Sequence, residues 1–161
     1  MLQMSVAPSG ATAIIKVSGN VEAGDSVSLF AVFEEVVVGE YSGAFVDLSG
    51  CRDLDSTFIG MLLVMYEKYS GSKGDFCLVN VGTQNTRALQ MLGVSTMIPM
   101  RDMRLHPQPE FVPIDLSAHT CGSKEKIEIM EIAHRALVAA DRQNAERFGS
   151  FLRLLDKEKS G

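Results

Sequence analysis

Asp55, Ser56 and Thr57 place a carboxylate and two hydroxyls in consecutive positions. A short apolar run at residues 44–48 precedes them, followed by the polar break Ser49-Gly50-Cys51-Arg52, and a second apolar run of helical reach follows. The first run has the length and composition of a buried strand, and the glycine-centred break reads as a turn. The hydroxyls therefore stand where a loop becomes a helix, a place suited to chemistry or recognition. A serine there can cap the helix, satisfying one orphan backbone N–H, and local chemistry alone favours that role.

The elements that must hold this loop can be read from periodicity. Residues 2–7 and 12–17 are strand-like and separated by Pro8-Ser9-Gly10, which predicts an antiparallel hairpin. Asp25 or Ser26 is the expected cap of an amphipathic helix with Val27, Phe30, Phe33 and Val37 inward, closed by Gly39. The helix after the loop should run from Ser56 to about Tyr69 and stop at Gly71 and Gly74. Residues 76–81 form another buried strand, and Thr83 or Asn85 caps a short helix with Leu89 and Leu92 inward, ended by Gly93. Residues 97–100 suit a short edge strand, because Pro99 cannot serve a central ladder. Strands alternating with helices imply parallel pairing. The fold class is α/β: a mixed sheet of four to five strands, mostly parallel with an antiparallel edge hairpin, packed by helices.

The totals narrow the function. Hydrophobic residues make up 46% of the 161 and charged residues 22%, enough for a real core. Residues 1–122 carry 7 Lys/Arg against 13 Asp/Glu, whereas residues 123–161 carry 8 against 7. An acidic body argues against nucleic acid and fits a protein partner with a basic patch. Cys51, Cys77 and Cys121 show no paired spacing, so reduced, mostly buried thiols in a cytoplasmic protein are expected. The first residues lack the pattern of a signal peptide, and the apolar run at residues 58–66 is too short to span a bilayer. His119 and Cys121 do not make a metal site, and His134 has no second ligand nearby in sequence. With no Gly-rich phosphate loop and no nucleophile–base pair in view, neither catalysis nor a cofactor is expected.

Residues 104–122, with Pro107, Pro109 and Pro113, are expected to be an extended connection lying across the body. From Ser123 to about Leu155 the pattern is helical, with Ile127, Met130, Leu137, Phe148, Phe151 and Leu155 in a stripe that His134, Asp141 and Asn144 interrupt. One helix of that length would reach roughly 50 Å, more than the body can cover. It must bend (Gly149 is a candidate), project to a partner, or pair with a second copy. Self-association into a homodimer is the favoured expectation. The helix after the loop is apolar nearly all round. Its Phe58–Met61–Met65–Tyr69 stripe is either core or a Met-rich docking surface beside Ser56.

The segment Val46-Asp47-Leu48-Ser49-Gly50-Cys51-Arg52-Asp53-Leu54-Asp55-Ser56-Thr57-Phe58-Ile59-Gly60 resembles the signature of the STAS domain of bacterial anti-sigma factor antagonists. There a strand leads into Asp-Ser-(Ser/Thr)-Gly-Leu-Gly, and a partner serine kinase phosphorylates the first serine. The resemblance covers residues 10–105. It makes Ser56 the phosphoacceptor, with Asp55 and Thr57 beside it, keeps the second glycine as Gly60, and replaces the first by Phe58. Gly19-Asn20-Val21-Glu22 is similar to the family's Gly-Glu-Leu-Asp segment, so Glu22 is expected near the acceptor, either positioning it or simply solvated. The resemblance implies a STAS domain at residues 1–103, to which the proline content and periodicity above add a linker at 104–122 and a helical extension at 123–161. It also implies a non-enzymatic phosphoswitch that binds an anti-sigma factor serine kinase while Ser56 is unmodified and is reset by a serine phosphatase. Phe58, Met61 and Met65 would contribute to that docking. The alternative it offers is a STAS scaffold in a signalling assembly, or a subunit of a lipid or anion transport system.

Overall fold

The computed structural model describes residues 2–34, 41–71 and 74–161. The expected closure of the first helix at Val37 and Gly39 lies outside them. The leading hairpin forms as read: β1 (Gln3–Ser9) and β2 (Thr12–Gly19) pair antiparallel, Ser9 opposite Thr12. The turn is one residue later than Pro8 suggests. Gly10 takes φ +62°, the conformation a two-residue hairpin needs at its first central position.

From β2 the sheet continues in parallel through β3 (Gly43–Cys51), β4 (Phe76–Val79) and the two-residue β5 (Met100–Arg101). A sixth strand, β6 (Val112–Ile114), pairs antiparallel with β1, giving the order β5-β4-β3-β2-β1-β6. This strand was not anticipated, because it is built from the proline-bearing connection. Pro113 is tolerated there since an edge strand needs N–H donors on one side only. The edge strand expected at residues 97–100 begins only at Met100.

One face of the sheet supplies Met4, Val6, Ile15, Val17, Val46, Leu48 and Leu78 to a single core shared with the helices. On the other face Ala7, Ile14, Cys77 and Val79 are also buried. Their cover follows from topology. Because β5 and β6 lie at opposite edges, residues 102–111 must traverse the sheet. Five strand spacings amount to about 24 Å, and ten extended residues reach about 33 Å. The crossing is within that reach even with a bend at residues 106–107. Asn80 anchors its start, donating to Met103 O (3.0 Å) and accepting from Met103 N (2.8 Å). Near its end Lys16 Nζ stands 5.9 Å from the Phe111 ring centre.

On the core face lie α1 (Ala23–Val32) and α2 (Ser56–Gly71), with α3 (Thr83–Met91) following β4. Val27, Phe30 and Phe33 are inward as expected. The caps differ from expectation. Glu22 stands at the N-cap of α1 and Gly82 at that of α3, leaving Ser26 and Asn85 inside their helices. Both are buried and bond across the structure: Ser26 to Asp55, and Asn85 Nδ2 to Cys51 O (3.1 Å).

The tail is not one helix. It forms α4 (Ser123–Ala140) and α5 (Gln143–Ser160), packed against each other, with α4 lying on α2. The bend falls at Asp141, not Gly149. Asp141 leaves the helix at φ −145°, ψ 127°, and its carboxylate accepts from Gln143 N (2.9 Å). Folding back buries Leu137, Leu152 and Leu155 within the chain and so answers the length problem without a second copy. Asn144, fully buried, donates from Nδ2 to both Leu92 O (2.9 Å) and Leu137 O (2.7 Å), while Arg147 donates to Met91 O (2.7 Å). The turn of the tail thus satisfies the open carbonyl end of α3, where a cation is favoured. Asn144→Ala is expected to lower unfolding free energy by about 1–3 kcal/mol, because it strands buried carbonyls. Urea denaturation measures this; an unchanged midpoint would refute the clamp.

Candidate functional site around Ser56

The loop after β3 brings Asp55, not Ser56, to the cap of α2. Asp55 Oδ1 accepts from Phe58 N (2.8 Å), three residues on, and the Asp55 carbonyl accepts from Ile59 N (3.1 Å). The same Oδ1 accepts from Ser26 Oγ (2.8 Å), which ties the first turn of α1 to the start of α2. Burial pushes the Asp55 carboxyl above its usual range, partly offset by these two hydrogen bonds and by His134 nearby. A capping role for Ser56 is therefore excluded: its position is taken, and its hydroxyl is left for other work.

That hydroxyl meets the tail. Ser56 Oγ lies 3.0 Å from Nε2 of His134 on α4, and His134 Nδ1 lies 2.7 Å from Met130 O. A carbonyl can only accept, so Nδ1 carries a hydrogen. In the neutral ring Nε2 is then an acceptor, and Ser56 donates its O–H to it. Burial favours that neutral ring by depressing the His134 pKa, against the opposing pull of Met130 O and Asp55. Phe148 and Phe151 of α5 present the burial directly, in edge contacts at 4.8 and 4.7 Å from the imidazole. This is the geometry of a hydroxyl beside a base, and it corrects the expectation that no such pair exists. Seventy-eight residues separate the partners, so local spacing could not reveal them. The one sequence signal was a histidine interrupting an apolar stripe.

Of the other residues singled out, Thr57 is buried and Glu22 is exposed. The Glu22 carbonyl accepts from Ser26 N (3.0 Å), so Glu22 is linked to Asp55 through one intervening serine. Phe58, Met61 and Met65 are 0%, 2% and 1% exposed, and Tyr69 stacks on Phe76 of β4 at 5.9 Å. At 100° per residue these side chains point away from Ser56 and onto the sheet. The Met stripe is core in this structure, not a docking patch. The face that Ser56 shares carries Ile59, Gly60 and Leu63, and α4 covers it. Gly60 makes the contact possible, since a Cβ there would stand 2.3 Å from Ala133 O.

Two outcomes follow. Phe58→Ala should cost about 3–5 kcal/mol of stability, as a large buried ring does, and denaturant midpoints would show it; near-neutrality would return Phe58 to the surface. For His134 the folded pKa lies below the ordinary 6.5, so the unfolded chain takes up the proton first. Its stabilising contribution is complete above about pH 6.5 and is lost as pH falls through the depressed folded value. His134→Phe should flatten that part of the stability–pH curve; an equal slope in both proteins would contradict the neutral, buried ring.

The site lies within a recognisable frame. The family model described as "Mlab, STAS domain" matches residues 4–101, β1 through β5. No curated protein matches the chain. Among solved structures, an anti-sigma factor antagonist from Mycobacterium paratuberculosis is similar at TM-score 0.57 and 23% identity, over 63% of this chain and 86% of its own. The anti-sigma factor antagonist SpoIIAA in its unphosphorylated form gives 0.56 at 15% identity, over 65% and 90%. The Bacillus cell fate determinant SpoIIAA in the phosphorylated form gives 0.54 at 15%, over 65% and 94%. At these identities the likeness is one of fold. Residues 102–161, which include His134, lie beyond the family match.

Proposed function

The chain belongs to the STAS domain family, and we propose that it works as an anti-sigma factor antagonist-like phosphoswitch with Ser56 as acceptor. The observation that carries this reading is the division of labour at the loop. Asp55 caps α2, so the Ser56 hydroxyl, half-buried at the first helical position, is not committed to holding the backbone. A phosphate there adds negative charge at the positive end of α2, where the fold tolerates it. Buried at an interface, the same charge beside Asp55 would be costly to desolvate and would repel any acidic group facing it. In this reading the unmodified protein binds an anti-sigma factor serine kinase, phosphorylation releases it, and a serine phosphatase restores binding. Residues of α2 and of the loop are the contact region, with Glu22 at its rim. Among the described residues no helix is long and apolar enough to cross a membrane.

Intact-mass measurement of the protein from its native cell, before and after phosphatase, should show one phosphate that maps to Ser56. Ser56→Asp should stay folded and lose kinase binding at least tenfold, while Ser56→Ala keeps it; one buried like-charge contact is enough for such a loss. Equal binding by both variants, or no phosphate in the cell, would overturn the reading. Co-purification with a transporter ATPase and no kinase would favour the transport-subunit role instead.

A further inference from the structure

The tail sits on the one surface the switch has to use. Polar contacts fix it to the body through His134 on Ser56 and through Asn144 and Arg147 on the carbonyl end of α3, while Asp141 shapes its bend. Around them the contacts are of unequal quality. The interface with α2 is close-packed at Gly60 and Ala133. The outer side is held by exposed ion pairs among Glu131, Arg135, Asp156 and Lys159, which solvent screens. Ile132 and Leu154 remain 49% and 59% exposed. The connection to the sheet, residues 115–122, holds a three-residue 3-10 turn capped by Asp115, with Leu116 packed against the core, so the hairpin departs from an anchored point.

From this the geometry points to a gate: the α4–α5 hairpin is an intrachain cap that must leave α2 before Ser56 can be phosphorylated, and that a phosphate on Ser56 keeps from closing. The proposal deepens the switch reading and rests on it for the identity of the modification. The steric half is direct. Ser56 Oγ is in contact with His134 Nε2, and in-line attack on a nucleotide's terminal phosphate needs that approach free. In that transfer the Ser56 oxygen bonds to the γ-phosphorus, the bond to the nucleoside diphosphate breaks, and the serine proton leaves to base. The electrostatic half concerns the closed state. Nε2 is an acceptor and offers nothing to a phosphate oxygen, which is also an acceptor. Asp55 adds negative charge, and Phe148 and Phe151 offer the phosphate no donor. A modified Ser56 and a seated hairpin with a neutral imidazole are incompatible. Opening would also uncover Ile59 and Leu63, giving a partner an apolar face that the closed protein withholds.

Hydrogen exchange on the full chain tests this without any partner. In Ser56→Asp at pH 8, amides of α4 between Met130 and Leu137 should exchange about tenfold faster or more, while those of β3 keep wild-type rates, as for a unit that opens on its own. Ser56→Ala should change α4 far less. If Ser56→Asp loses β3 protection as well, His134→Ala decides: it removes the latch without adding charge, and should speed α4 and α5 exchange selectively. Exchange of α4 that stays slow in Ser56→Asp, or that in His134→Ala rises only together with β3, would overturn the gate. A functioning gate with no phosphate found in the cell would instead dismiss the switch reading and leave the hinge intact.

Discussion

One oxygen of Asp55 holds together the start of α2 and the first turn of α1, accepting from Phe58 N and from Ser26 Oγ at 2.8 Å each. Removing this half-buried acceptor would leave Phe58 N unpaired, a cost on the order of 1–3 kcal/mol, and would turn Ser26 Oγ back to its other acceptor, Glu22 O at 3.2 Å. The arrangement also explains why burial raises the Asp55 carboxyl only in competition with its partners. Most consequential is what it does for the neighbour. Because the cap is supplied by a carboxylate one position earlier, the serine that follows is held at a fixed place by the helix while its hydroxyl is free to choose its partner. That is the physical basis for reading the loop as a site.

Much of the body could be read from the sequence because its signals are local. Alternation in β1 and β2, the apolar runs of β3 and β4, and the Gly93 stop after α3 each depend on a few neighbouring residues. What was missed depended on partners far along the chain. Ser26 and Asn85 look like caps until Asp55 and the Cys51 carbonyl are set beside them. The Phe58–Met61–Met65 stripe cannot be assigned to core or surface without knowing which side of α2 meets the sheet. In the tail, the polar residues that interrupt the apolar stripe are the ones that fix the bend and its docking. Their meaning needed Ser56 and Leu92 in space. Cys51 illustrates the easier kind of inference: a thiol expected to be buried is buried, donates to Val17 O at 3.1 Å, and is pushed up to about 12.

The hairpin and the crossing segment are both additions to the part that the family match covers, and each closes a different face. The crossing segment covers the second face of the sheet, anchored by Asn80 in its left-handed conformation at φ +56°. The hairpin covers the helical layer. The two differ in how they are held. The first is enclosed between two short strands and cannot leave without unpairing β6. The second is held to the helical layer by side-chain contacts and not by a sheet ladder, so it is the addition that can move as a unit.

The shortness of the two outer strands has a consequence for how copies of this protein can meet. β5 offers two residues and β6 three, one of them a proline. An open ladder of that size is a poor template for an incoming strand, so extension of the sheet from molecule to molecule is blocked at both margins. Any higher-order assembly must then be built from side-chain surfaces, which leaves it reversible and open to control by charge, and crowded copies are kept from fusing into fibrils.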